Sequence, residues 1–555
     1  MSEGAAAVDL SGLGPIQDAV EDVLARMNAE RWAERLNAKD GSLWSADPAL
    51  ASEIAEWMGW LNVAGDIAQE LEQFDDLVRD LAGEGYTHAV VAGMGGSSLC
   101  PDVLRRTFGV RPEGLNLAVL DSTDPSTIEA ISDGLDLDRT VFIISSKSGG
   151  TTETLSHFKL FHERVAAVDE GHDGHHFVAI TDEGSSLQQI AEAEDFGWVF
   201  LNPKDIGGRY SALSYFGMVP AAVMGLSVTR LLAGGQLMGE ACRTEDAPAN
   251  PGLLLGAVLG AAARAGRDKC TLVCSPRVAT LGMWLEQLLA ESTGKQGRGI
   301  IPIEGEPLGD PSSYGDDRLF VYVRTPIGCA DQDPVMAALQ EAGQPVFTIT
   351  IDGPEDLGAE FIRWEVATAA AGALLEINPF DQPNVQESKD NTKAALQRYA
   401  ETGDFGVEIG ADPMGDVEKL LSDLKPGDYF AVLAYTQPTA EFDEALDRLR
   451  VAVRDRFVVA TTAGYGPRYL HSTGQLHKGG PNSGVYLILA DSRGEEIPIP
   501  GEAYGFKSLI QAQWAGDLKS LRDHGRRVAM VPMADDRQTT MAEILQLVER
   551  IPATR

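Results

Sequence analysis

From Tyr86 to the C-terminus, short β-branched and aliphatic runs alternate with amphipathic stretches, and this rhythm admits one main architecture: parallel sheets wrapped by helices. The runs fall into three groups. HAVVAGM, LAVLDS, TVFIISS, FVAIT and WVFLNP form the first, KCTLVCS, GIIPIE, RLFVYV and PVFTITI the second, and YFAVLAY, RFVVATT, GVYLILA and RVAMVPM the third. The Thr/Glu/Pro/Asn-rich RTEDAPANPG, near 243–252, reads as a linker between the first two groups. ETGDFGVEIGADPMGD separates the second from the third. Ahead of them, apolar residues recur at helical spacing through IQDAVEDVLARMNAERW and ALASEIAEWMGWLNVAGDIAQELEQF. The predicted units are a helical segment over 1–80 and α/β units over 81–242, 253–402 and 415–555.

A chain of 555 residues is too long for a single core. Its formal charge of −38 repels phosphate backbones and anionic headgroups, so neither nucleic acid nor a membrane is an expected partner. A salt-rich cytoplasm and a plain soluble surface explain that acidity equally well. Five scattered cysteines do not make a disulfide framework, which points to a reducing compartment. Cys270 and Cys274 lack a second ligand pair nearby and read as buried thiols. With no basic leader and no apolar span, the expected location is cytoplasmic.

In open α/β sheets, ligands bind beyond the carboxyl ends of strands, where helix N-termini present free N–H groups. The first such loop is GMGGSS, containing Gly96 and Ser97. A phosphate or hydroxyl site and a capped tight turn both account for it, and its spacing is not that of a dinucleotide fingerprint. In the second, SSKSGGTT, Ser146, Lys147, Ser148 and Thr151 gather hydroxyls and an ammonium at a helix start, more than capping needs, as a phosphate monoester requires. It is not a Walker loop. The third, DIGGRYS, brings Arg209 to the sheet edge, where it can pair with a phosphate or an oxyanion. In WLEQLLAESTGK, Glu291 falls at a helix C-terminus, where the dipole disfavours a carboxylate, with Gln287 one turn earlier on the same face. In NPFDQPNVQESK, Pro383 starts a helix that carries Lys389 about two turns in.

These segments, in this order, resemble those of the phosphoglucose isomerase family, of the sugar-isomerase (SIS) fold. DIGGRYSALS and NPFDQPNVQESK are similar to its two signature regions; GMGGSS, SSKSGGTTET and AESTGK resemble its sugar-phosphate loops and catalytic-glutamate segment. The resemblance runs from about residue 90 to 400 and, with a later histidine segment, to about 480. It implies an α/β fold with two doubly wound SIS-type parallel-sheet domains, the N-terminal helical segment, and a third C-terminal α/β unit. By position it implies phosphate contacts from Ser146, Lys147, Ser148 and Thr151, and sugar contacts from Gly96, Ser97, Gln287 and Gln382. Glu291 takes the place of the proton-transferring base, Arg209 that of the enediolate stabiliser, and Lys389 that of a group holding hydroxyls and assisting ring opening.

One feature departs from the family pattern. The ring-opening histidine is missing between Lys295 and Phe380, and the closest match comes later, in GPRYLHSTGQLHKGG. His471 is the better match there and His477 the lesser, the latter carried as a substrate-binding candidate. His172, His175 and His176 lack catalytic or metal-site spacing. In the family this histidine comes from the neighbouring subunit, which implies a homodimer with His471 donated in trans. The late histidine and extra unit resemble the isomerase half of bifunctional transaldolase/phosphoglucose isomerase proteins, but the residues before 90 leave no room for a transaldolase barrel, so no aldol transfer is expected. The resemblance implies reversible aldose–ketose isomerisation of glucose 6-phosphate to fructose 6-phosphate, a step of glycolysis and gluconeogenesis, through ring opening and a cis-enediolate, with no metal and no cofactor. The alternatives are a noncatalytic sugar-phosphate sensor on the same fold, and an isomerase or epimerase of mannose 6-phosphate or an amino sugar phosphate.

Overall fold

The computed structural model describes residues 10–169, 171, 173–491, 493–534 and 536–553. His172 lies outside the described residues. Among the described residues, three wholly parallel sheets are present. The first joins β1 (His88–Gly93), β2 (Asn116–Leu120), β3 (Thr140–Ser145), β4 (Phe177–Asp182) and β5 (Trp198–Asn202) in the order β2-β1-β3-β4-β5. The second joins β6 (Lys269–Cys274), β7 (Ile301–Ile303), β8 (Arg318–Arg324) and β9 (Val346–Thr350) as β7-β6-β8-β9. The third joins β10 (Tyr429–Tyr435), β11 (Ala460–Tyr465), β12 (Gly484–Ala490) and β13 (Arg527–Pro532) as β11-β10-β12-β13. Every strand but β11 (ATTAGY) matches an apolar run in the sequence, as expected where strands are covered on both faces; β3 is buried along its whole length.

The strand order of the first sheet reverses at β1, and the register there pairs Gly93 with Ser145. The GMGGSS and SSKSGGTT loops therefore leave the sheet side by side, at the crevice where α/β folds bind ligands. Four helices frame the rest of the site: α1 (Thr152–Ala166), α2 (Leu281–Thr293), α3 (Val385–Thr402) and α4 (Phe506–Asp523).

The units share cores rather than standing in a row. The N-terminal helices and the first two sheets form one apolar core, in which Trp60 packs 5.1 Å from Tyr210 and 6.2 Å from Phe380. That aromatic cluster anchors the Arg209 loop and the FDQ segment to the same buried surface. Phe506, Leu509 and Ala512 of α4, from the third unit, are buried with the side chains of β1 and β3 in the first sheet.

Four local expectations change. Residues 243–252 are a tight joint rather than a loose linker: Asn250 is fully buried, accepts from Leu253 N–H at 3.0 Å and donates to Cys242 O at 2.7 Å. The second N-terminal helix is broken into short pieces, Pro48–Ala55, Val63–Ile67 and Leu71–Glu84, about a turn at Gly59–Leu61. In RFVVATT the preceding helix runs on through Phe457 and ends at Val458, at φ 54°, so the strand begins only at Ala460. Of the five cysteines, Cys100, Cys242, Cys270 and Cys329 are buried, while Cys274 is half-buried.

Candidate active site

The phosphate-type loop begins where β3 ends. The Ser146 hydroxyl is buried and shares a 3.0 Å hydrogen bond with the Thr151 hydroxyl. Thr151 occupies the cap position of α1, yet its side chain makes no capping bond, so simple N-capping does not account for these hydroxyls. Gly149 turns the loop at φ 70°, and a Cβ there would sit 2.3 Å from Leu187 N. Lys147 differs from expectation. Its ammonium turns away to Asp182 Oδ2 at 2.5 Å and Lys204 O at 3.0 Å, over the Trp57 ring, which leaves its backbone rather than its charge at the loop.

At Gly96 a Cβ would fall 2.0 Å from Gly208 O, so only glycine lets the GMGGSS and DIGGR loops touch. Ser97 is buried alongside. The carboxylate after β2, Asp121, accepts from Ser98 Oγ at 3.1 Å and pairs with Arg468 at 2.9 Å.

Glu291 lies near the C-terminal end of α2 with its side chain 12% exposed. Gln287 donates to Glu291 Oε2 at 3.1 Å and to the His471 carbonyl at 2.8 Å. Arg209 approaches Glu291 Oε1 at 3.4 Å through Nη1, which also donates to Gln382 Oε1 at 3.0 Å. Its remaining N–H groups go to Ser292 Oγ and to the carbonyls of Pro379 and Asp381. This buried guanidinium thus ties the glutamate helix to the FDQ segment, a fork geometry that lysine cannot supply. Lys295, which sequence reasoning passes over, clamps the same segment through Asn378 O and Asp381 Oδ1, both at 2.6 Å. Burial, with the Arg209 charge beside it, pulls the Lys295 ammonium down to about 7 against the opposing pull of Asp381.

The second half of the site is a cleft of about 430 Å³ lined by Ser148, Glu153, Lys389, His471 and Gln513, among others. His471 Nε2 lies 3.0 Å from Glu153 Oε1. Burial pushes the Glu153 carboxyl up, but the His471 ring, its own backbone N–H and the Lys389 charge outweigh it and hold the group down to about 2. Glu153 escapes a reading of the sequence because an acidic residue in the first turn of a helix is unremarkable. Lys389 sits just over one turn into α3, not two, because Asn384 N–H is taken by Gln475 Oε1 and the helix starts at Val385.

Within its own chain, His471 lies beside Glu153, Gln287 and Gly95. His477 points into the core of the third unit, packed on Tyr469 and Tyr486, with burial pushing its pKa well below 6.5, and it is not among the residues that line the cleft. Seven of the predicted residues form two linked clusters. Arg209, Gln287, Glu291 and Gln382 make one; Ser148, Lys389 and His471 line the cleft, and Gln287 bridges the two through the His471 carbonyl.

Residues 62–300 match the phosphoglucose isomerase family model. A glucose-6-phosphate isomerase of Rubrobacter xylanophilus is 30% identical over 427 residues, covering 68% of this chain and 96% of that one. A probable glucose-6-phosphate isomerase of Haloarcula marismortui is 29% identical, over 60% of this chain and 83% of that one. Among solved structures, a hypothetical protein of Thermus thermophilus superposes with a TM-score of 0.58 at 26% identity, over 69% of this chain and 98% of that one. A glucose-6-phosphate isomerase of Chlamydia trachomatis shares the fold at a TM-score of 0.55 and 18% identity, over 69% of this chain and 86% of that one. By its motifs, its fold and a relative matched over nearly its full length, the chain belongs to the phosphoglucose isomerase family.

Proposed function

We propose that this chain interconverts glucose 6-phosphate and fructose 6-phosphate, with Glu291 as the base that moves a proton between C2 and C1. The observation that carries the reading is the placement of Glu291 between Arg209 at 3.4 Å and Gln287, whose amide also holds the His471 backbone. A carboxylate flanked by a fixed guanidinium suits a reaction that builds negative charge on adjacent oxygens: the base takes the C2 proton and the guanidinium offsets the enediolate.

The substrate phosphate sits on the hydroxyls of Ser146, Ser148 and Thr151 and the free N–H groups at the start of α1, with the Lys147 contribution confined to its backbone. Gly96, Ser97, Gln287 and Gln382 face the sugar hydroxyls. His471, oriented by Glu153, moves the proton that opens the pyranose ring, and Lys389 assists from the facing helix. Each proton leaves and returns through a side chain, so the scheme uses no metal and no organic cofactor. A homodimer is expected from the family's pattern, because its histidine comes from the neighbouring subunit.

The test is an NMR time course with glucose 6-phosphate in D2O and EDTA. Fructose 6-phosphate should form with deuterium entering at C1, and at C2 of recovered glucose 6-phosphate. Glu291→Gln should abolish both while still binding sugar phosphate. Saturable binding without conversion by the wild type would favour a sensor instead, and conversion of mannose 6-phosphate at a comparable rate would widen the substrate class.

A further inference from the structure

We propose that Gln513, on helix α4 of the C-terminal unit, is a positioning residue for ring opening: it fixes the Glu153 carboxylate so that one oxygen faces His471. The proposal rests on the isomerase reading of the site.

Glu153 Oε1 accepts two hydrogen bonds, from His471 Nε2 at 3.0 Å and from Gln513 Nε2 at 2.8 Å. A carboxylate only accepts, so Gln513 must turn its NH2 toward Glu153 and its carbonyl the other way. There the carbonyl accepts from the Thr123 hydroxyl at 2.5 Å. Glu153, Gln513 and Thr123 are all buried, so water does not compete for these bonds. One turn further along α4, Asp517 accepts from Tyr469 OH at 2.5 Å and pairs with Lys478 at 2.7 Å, both within buried surroundings. Tyr469 precedes His471 by two residues in the same turn. The helix therefore grips both partners, the carboxylate through Gln513 and the segment bearing the ring through Asp517.

A buried glutamine with both ends satisfied is common in any core. What sets this one apart is that its NH2 goes to the same oxygen His471 uses. Without that donor the carboxylate is free to rotate off the imidazole, and the ring loses its orientation. The other titratable groups whose charge couples to Glu153 are Lys389, His157, Tyr435 and Tyr504; among the described residues none of these four donates a hydrogen bond to it, so none replaces Gln513.

The full-length protein with Gln513→Leu and Gln513→Glu tests this. Steady-state kinetics from pH 5 to 9 would be set beside binding of a five-carbon aldonate phosphate, an open-chain mimic that needs no ring opening. A charge-assisted hydrogen bond is worth roughly 10- to 100-fold. Gln513→Leu should lower kcat by about that factor while changing aldonate affinity less than about threefold. In Gln513→Glu the new carboxyl donates to Glu153 when protonated and repels it when ionised, so the deficit should shrink as pH falls and deepen as it rises. The His471 Nε2–H proton, assigned by its loss in His471→Asn, should give a resonance in the wild type that broadens in Gln513→Leu. A kcat within twofold of wild type, or pH-independent losses in both variants with aldonate binding falling equally, would overturn the proposal. If Gln513→Leu does not fold, the nearly isosteric Gln513→Glu carries the test alone. If the wild type does not isomerise, the functional reading fails, and the Nε2–H resonance still decides the role of Gln513.

Discussion

His471 and Glu153 lie 318 residues apart in sequence, and the ring nitrogen of one sits 3.0 Å from the carboxylate of the other. The histidine comes from the turn after β11 in the third sheet and the glutamate from the first turn of α1 beside the first sheet. The pairing fixes which imidazole nitrogen is engaged and leaves the other for chemistry in the cleft.

Replacing that charge tests the pairing. Glu153→Gln keeps the shape but removes the negative charge that stabilises an imidazolium, so kcat should fall by about 10²- to 10⁴-fold with KM little changed. Steady-state kinetics over a range of substrate concentration would show it; a kcat within threefold of wild type would place ring opening elsewhere.

The contact at Gly96 predicts a second effect. With backbone 2.0 Å from where a Cβ would go, Gly96→Ala must push the Gly208 loop, and Arg209 with it, away from Glu291. A displacement near 1 Å at a catalytic group can cost about 100-fold, and overpacking destabilises by about 1–3 kcal/mol. Activity should therefore drop much more than the melting temperature alone would suggest.

The phosphate loop yields a contrast. Because the Lys147 ammonium is engaged by Asp182, Lys147→Met should change KM for glucose 6-phosphate by less than about threefold. Ser146→Ala removes a buried hydroxyl from the loop and should raise KM by about tenfold, the worth of a hydrogen bond to a charged phosphate. A larger effect at Lys147 than at Ser146 would mean that the ammonium swings to the ligand.

His157 supplies a pH dependence. Its ring is fully buried, stacks on Phe506 and lies 2.9 Å from Ser122 O; burial pushes its pKa down to about 4, against the weaker pull of Ser122 and Glu153. Between pH 6.5 and 4 the unfolded chain takes up a proton that the folded one refuses, so stability falls as pH drops through that window, by up to roughly 3 kcal/mol from this group. His157→Gln can keep the bond to Ser122 and removes the titration. Thermal melts at pH 7 and pH 5 should show a smaller acid-induced loss in the variant than in the wild type.

Much of this is legible in the sequence, for identifiable reasons. Strands buried on both faces advertise themselves as unbroken apolar runs, so every strand but β11 can be found there, and the loops after β1 and β3 stand out because glycine and clustered hydroxyls have few other uses. Residues whose role depends on a distant partner do not. Glu153 looks like a helix-start acid, Gln513 like any core glutamine, and the outward turn of Lys147 depends on Asp182, a residue of a different strand end.

The clasp formed by α4 across the first sheet also has a consequence during synthesis. About four-fifths of the protein can leave the ribosome with the Ser146 loop, Arg209 and Glu291 in place, yet His471 has not emerged and α4 is still to come. On the proposed assignment, the His471 side of the site is completed only when the third unit docks onto the first, a late, long-range step of the kind that limits folding rate.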